Sequence, residues 1–372
     1  MMNSIKIWLA LSLIAGCMFA CTDVETIDLE KQAVEDLYNK RDKDKWAEED
    51  EQKRQNYEDS VRIAKENERL YELYLADLRE YKKTKHPVMF GWFNSWDETA
   101  PGEYFNLTLL PDSMDIVSIW GNCFNISDKR LKQMKEVQKK GTKVIVGWII
   151  EEVGNGLQNK PAGGWSEDPY TGIQQYADAI LDSIAKYGYD GFDIDYEPSY
   201  SSPWGGMHCG NWNQVEPWSK EMPIISCNRD SNKDYENFFF QALRDGLDEL
   251  EAKDGKERIL NINGSIHWLS PNMKDLFSYF VAQSYHGNYS NWPSTVTERL
   301  GNDVKDRIIY TETFENAVAN QESFTRYADF VVKTLDGVAG GIGAYHINAD
   351  AAEKNEYRNV RKAISIMNPP IK

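Results

Sequence analysis

Asp193, Asp195 and Glu197 fall two residues apart in the run Asp190-Gly191-Phe192-Asp193-Ile194-Asp195-Tyr196-Glu197-Pro198. A strand turns successive side chains to opposite faces, so the three acids share one face and Phe192, Ile194 and Tyr196 the other. At about 3.3 Å of rise per residue, Asp195 and Glu197 lie roughly 6–7 Å apart, with Asp193 deeper. Three carboxyls on one inward face repel, so at least one must hold a proton near neutrality. A carboxylic acid kept protonated at the mouth of a barrel is what a general acid for glycoside cleavage requires. A plain acidic turn does not explain period-two acids interleaved with apolar residues. A metal site would recruit His or further acids, yet the chain has only 5 His and no Cys-x-x-Cys. Neither a metal nor a cofactor is expected.

Such acids need a rigid frame. Downstream of Pro87 the chain alternates short β-rich runs with helical ones. The strand candidates are Val88–Phe93, Ile116–Trp120, Lys143–Ile149, Gly191–Tyr196, Ile259–Asn263, Tyr279–Tyr285, Arg307–Thr313 and Gly340–His346. Helices are expected at 128–140, with Ser127 as N-cap and Gly141 as terminator, and at 172–187, 234–252, 320–335 and 352–367. This repeat and its length predict a (β/α)8 TIM barrel over residues 87–372. A doubly wound sheet is the alternative, but no Gly-x-Gly-x-x-Gly turn follows the first strand.

Upstream, Tyr57, Val61, Ala64, Tyr71, Leu75 and Leu78 form a 4-3 stripe. It predicts an N-terminal amphipathic helical segment over about 52–82 that packs against the barrel. The charge-dense stretch 22–50 reads as a solvated tether or loose helix, so residues 22–86 form one linking region. Residues 5–20, apolar behind Lys6, read as a secretory segment, with residues 1–21 as a lipoprotein signal peptide. The lipidated residue would be Cys21 or Cys17; cleavage before Cys21 removes all the apolar residues. These features predict an exported, lipid-anchored protein at the outer membrane or cell surface of a Gram-negative bacterium. In an oxidising compartment Cys209 and Cys227 could pair, leaving Cys123 as a buried thiol. The chain carries 59 Asp+Glu against 42 Lys+Arg, a net charge of −17, which argues against a nucleic-acid partner.

The acidic run matches in full the Asp-x-x-Asp-x-Asp-x-Glu signature of glycoside hydrolase family 18, through Asp190, Asp193, Asp195 and Glu197. The resemblance continues through Gly91-Trp92-Phe93-Asn94-Ser95-Trp96, through Gln283-Ser284-Tyr285 and through Gly341 to Asn348. It implies substrate-assisted, retaining hydrolysis: Glu197 as acid and base, Asp195 on the acetamido group, Asp193 sharing its proton, Tyr285 orienting the acetamido oxygen. Gln283, Trp92, Trp148, Trp268, Tyr345 and Asn348 are implied as substrate contacts. Departures from chitinases point to the endo-β-N-acetylglucosaminidase branch. Tyr345 stands where chitinases carry Trp, Asn348 replaces an acid, and Thr313 to Gly340 is too short for a further α+β insertion. The implied partner is an N-glycan or another N-acetylglucosamine-containing glycan, with glycan-uptake proteins at the cell surface as a second class. A chitinase and a surface glycan-binding protein that lost catalysis remain the alternatives. Trp96, Trp120 and Trp292, with Trp204, Trp212 and Trp218 in the long loop 198–232, add further candidate stacking faces.

Overall fold

A computed structural model describes residues 43–369 apart from 101–102, 122, 125, 151–152, 159, 198–234, 290–291, 316–317 and 355. Cys17, Cys21, Cys209 and Cys227, and Trp204, Trp212 and Trp218, lie outside the described residues. The chain divides into two units that part between Tyr71 and Glu72. Helix α1, Lys43–Lys82, begins in the first and ends in the second.

In the first unit α1 starts at Lys43, earlier than expected. The charge-dense residues are good helix formers, and Arg54 bridges Glu51 and Glu58 while Arg69 meets Glu66. Along the stripe Tyr57 is 69% exposed, and beside it Ile63 is 56% exposed. In the second unit the last turns of α1 do pack. Leu75 is buried. Lys82 Nζ donates to Asp112 O, Met114 O and Thr142 Oγ1 at 2.7, 2.6 and 2.9 Å. Burial lowers its pKa to about 8. These partners precede the second and third strands, so α1 ends at the foot of the barrel.

Eight parallel strands close in sequence order: β1 Val88–Asn94, β2 Ile116–Trp120, β3 Lys143–Ile149, β4 Gly191–Tyr196, β5 Ile259–Gly264, β6 Tyr279–Ala282, β7 Ile308–Thr313 and β8 Gly341–Tyr345. β1 pairs with β8 to complete the ring, Val88 opposite Gly341. Outside lie α2 Asp128–Lys139, α3 Pro169–Tyr187, α4 Tyr235–Asp254, α5 Trp292–Leu300, α6 Val318–Ser323, α7 Thr325–Lys333 and α8 Arg358–Met367. Local signals explain their ends. Ser127 caps α2 by accepting from the Arg130 N–H, Asp168 caps α3 through Thr171, and Gly188 closes α3 at φ 77°.

Three expectations need correction. Residues 320–335 break into α6 and α7 around Phe324, and 352–367 splits into a 3-10 turn and α8. Between β1 and β2, and between β5 and β6, where no helix is expected, the described residues form 3-10 turns. β6 stops at Ala282 instead of Tyr285. Beyond it Ser284 Oγ takes the Thr311 N–H at 3.1 Å, so a side chain replaces the next backbone rung.

Alternation along the strands builds two cores. Phe90, Trp92, Ile116, Ile145, Ile259, Val281 and Ile309 fill the barrel. Phe192, Ile194 and Tyr196 join the larger layer between sheet and helices. Cys123 is buried and unpaired, its thiol pushed up to about 11 by burial.

Candidate active site

The parity of β4 decides where the acids go. Its apolar residues face the helices, so Asp193 and Asp195 face the barrel lumen, both buried, and Glu197 follows at the strand's end, half-buried. Asp193 is deepest. It accepts from Trp92 Nε1 at 2.7 Å and from Asn263 Nδ2 at 3.2 Å. Burial raises its pKa to about 6, with the Asn263 and Trp92 donors offsetting part of the rise. Gly147 on β3 makes room for it: a Cβ there would stand 2.6 Å from Asp193 O and 3.1 Å from Ser118 Oγ. Gly264, at φ +83°, ends β5 against the acids in the same way, since a Cβ would meet Glu197 Cγ at 3.0 Å.

Asp195 is held well above the usual carboxylate range by burial, then by the charges of Glu197 and Asp193 and a hydrogen bond shared with Glu197. The expected proton therefore has a place between these carboxyls. Gln283 organises the group. Its Nε2 lies 2.9 Å from Asn263 Oδ1, 3.1 Å from Glu197 Oε1 and 3.3 Å from Asp195 Oδ1. An amide nitrogen carries two hydrogens, so three acceptors compete for them. The bond to Glu197 can open without leaving the amide unpaired.

Above the acids lies a cleft of about 220 Å³ lined by Trp92, Trp120, Ile149, Asp195, Glu197, Asn263, Gln283, Tyr285 and Tyr345. That is smaller than a typical drug-sized pocket and suits a unit about the size of one sugar ring. Tyr345 is its aromatic centre: Tyr285 stacks beside it at 6.2 Å and 28°, while Trp92 and Trp120 meet it edge-on at 6.1 and 6.3 Å. Burial and then the Asp195 charge push the Tyr285 phenol well above its usual pKa, so it stays a donor.

Of the expected residues, Glu197, Asp195, Tyr285, Gln283, Trp92 and Tyr345 meet at the cleft, with Asp193 directly beneath. Others stand elsewhere. Trp148 has the opposite parity to Gly147 and turns outward, donating from Nε1 to Tyr176 OH at 3.0 Å and packing on Phe192. Trp96 is buried and donates to Gln133 Oε1. Asn348 is fully buried; it accepts from Asn94 N at 3.1 Å and donates to Asn94 O and Tyr104 O at 2.9 and 3.1 Å. Asp190 sits at the foot of β4 and accepts from Val144 N and Gln138 Nε2, both at 2.8 Å. The side chains of Trp268 and Trp292 lie outside the described part. Asn263 was missed as a site residue, although its period-two spacing from Asn261 on a strand beside β4 could have marked it.

This geometry can protonate a leaving oxygen, stabilise a developing cation and orient an oxygen nucleophile supplied by the ligand. A protein-family model described as glycoside hydrolase family 18, BT1044-like, matches residues 54–206, which include all three acids. Over this stretch the chain is similar to glycoside hydrolase family 18. The endo-beta-N-acetylglucosaminidase F2 of Elizabethkingia meningoseptica is 26% identical over 321 residues, covering 79% of this chain and 86% of its own. A solved structure of BT1044, a selenomethionine Glu-to-Gln form, is 27% identical with a TM-score of 0.64, covering 80% of this chain and 93% of its own. The endo-beta-N-acetylglucosaminidase of Cordyceps militaris in apo form, 22% identical, shares the fold at a TM-score of 0.54 over 79% of this chain and 95% of its own. These similarities to family 18 agree with the acidic ladder of β4.

Proposed function

We propose that the protein is an endo-β-N-acetylglucosaminidase that cleaves the GlcNAc-β-1,4-GlcNAc core of N-glycans. The observation that carries this reading is the Asp193–Asp195–Glu197 ladder, its upper two acids bridged by Gln283, beneath a cleft sized for one ring. The similarity to endo-beta-N-acetylglucosaminidase F2 favours this branch over chitinases. The same choice is supported by Tyr345 at the cleft centre and by the short path from β7 to β8, where the described residues form α6 and α7.

No protein carboxylate need attack the sugar. The 2-acetamido oxygen of the bound ring reaches the anomeric carbon, and the bond to the leaving sugar breaks as Glu197 donates its proton to the glycosidic oxygen. The product is an oxazolinium ion. Asp195 accepts the acetamido N–H and stabilises the positive charge that develops there. Asp193, near pKa 6 and fully buried, takes up the proton as Asp195 ionises. Tyr285 holds the acetamido group in line for attack. Glu197 then removes a proton from water, which opens the ring with net retention.

Incubation with a high-mannose glycoprotein, a complex-type glycoprotein and chitopentaose, followed by mass spectrometry, tests the assignment. Release of glycans that leaves one GlcNAc on the protein is expected. Turnover of chitopentaose alone would make it a chitinase, and binding without turnover a glycan-binding protein. The apolar segment 5–20 followed by Cys21 motivates a further proposal, export with a lipid tether on that cysteine. Mass spectrometry of the mature N-terminus checks it: an unmodified N-terminus beyond Cys21 would sink it.

A further inference from the structure

β7 sends Ile308 and Tyr310 outward into the apolar layer beneath the helices. The next outward position holds Glu312, only 1% exposed. A carboxyl buried there is costly unless its oxygens are fully engaged. They are. Oε1 accepts from His286 N at 2.6 Å and Thr313 N at 2.8 Å; Oε2 accepts from Gly287 N at 3.0 Å. Tyr327 OH from α7 lies 3.0 Å from Oε2 and 2.6 Å from Ser284 O, and accepts from Gly287 N at 3.1 Å.

Four of these six bonds grip residues 284–287, immediately around Tyr285, and the contact between Tyr327 and Glu312 ties the two anchors to each other. This turn has no strand pairing of its own, because β6 ends at Ala282. It also places His286 at φ +60°, a left-handed conformation that a side chain disfavours. An external anchor is needed to hold it. We infer that Glu312, with Tyr327, is a positioning residue: from outside the barrel it fixes the turn that aims Tyr285 into the cleft. Glu312 touches no ligand in this arrangement. Its effect on the reaction passes through the Tyr285 phenol, so the inference rests on the role proposed for Tyr285.

Glu312→Gln keeps the shape but gives only one oxygen to a set of donors that needs two. We expect kcat on a glycoprotein substrate to fall about 10- to 100-fold, the order expected for a misplaced group, with KM changed less than about threefold. In a Tyr285→Phe background the same substitution should cost less than about threefold, because the group it positions is already gone. Equal losses in both backgrounds, or a loss confined to KM, would overturn the inference. Should Glu312→Gln fail to fold, Tyr327→Phe removes one hydroxyl and carries the same cycle, with an expected loss of about 3- to 10-fold. A readout independent of turnover separates this inference from the functional one. In ¹³C-tyrosine NMR, the Tyr285 signal, assigned through Tyr285→Phe, should shift or broaden in Glu312→Gln. A substrate-inactive wild type with that change would fault the functional reading and support positioning. An unchanged Tyr285 signal would overturn positioning whatever the activity.

Discussion

Asp190 and Asp195 stand at opposite ends of β4, and burial raises the pKa of both. Their partners differ. At the foot, Asp190 accepts from the Val144 N–H and the Gln138 amide, and these donors with the Lys143 and Arg258 charges offset its burial. At the mouth, Asp195 faces two more acids, and Gln283 is the side chain that offsets its rise. A satisfied carboxyl ties strands together and has nothing left to give. A crowded one keeps a proton in play. The same residue type thus serves the frame at one end and chemistry at the other, and the donors around it decide which.

The sharpest way to break this contrast is at the mouth. Glu197→Gln should lower kcat by roughly 10²- to 10⁴-fold, the range of general-acid catalysis, with the melting temperature nearly unchanged. Steady-state kinetics beside thermal unfolding checks it; activity within tenfold of wild type would contradict the role. Asp195→Asn should cost somewhat less, and lose more on an intact glycan than on a preformed oxazoline donor, which already carries the ring that Asp195 helps to form. Equal losses on both substrates would remove the case for substrate assistance.

Asp193 offers a test through pH. Its pKa rises from 3.8 unfolded to about 6 folded. The stability it contributes is complete below pH 3.8 and is lost as pH climbs through 6, because the fully buried carboxyl must then ionise. The loss is on the order of 3 kcal/mol at most. Urea unfolding between pH 4 and 8 should show wild type losing stability relative to Asp193→Asn across that window; parallel profiles would refute it. At the foot, Asp190→Ala should cost about 1–3 kcal/mol by orphaning the Val144 N–H and the Gln138 amide. The folded fraction should keep wild-type kcat. A selective loss of kcat there would erase the distinction between the two ends.

Much of this was legible in the sequence because the barrel repeats a local pattern. Ile116–Trp120, Lys143–Ile149 and Gly191–Tyr196 form strands at the expected limits. The period-two acids set the parity of β4, and with it the direction of Asp193 and Asp195. On β3 the same parity has no acid to mark it. Gly147 carries no side chain to mark the lumen, and the sugar contact expected of Trp148 would need its neighbour's side of the strand. Asn348 shares its segment with Tyr345, yet its partners are Asn94 and Tyr104, far away in sequence. Glu312 was missed for the same reason. Its partners come from the turn after β6 and from α7, and no spacing in β7 announces them.

The three bonds of Asn348 join the segment after β8 to the end of β1 and to Tyr104, at sequence separations of 254 and 244. Strand β1, near the start of the barrel, therefore waits for the last strand to emerge from the ribosome before its second edge is covered. Until Gly341–Tyr345 arrives, that edge offers unpaired N–H and C=O groups on which a foreign strand could add. Chains that stop short of β8 lose more than a few residues: they present an open, adhesive margin from β1 onward. The closing step joins the most distant parts of the barrel sequence, so loop-closure entropy makes it slow. A nascent chain is exposed for that whole interval, and the final turns of synthesis convert an aggregation hazard into a sealed ring.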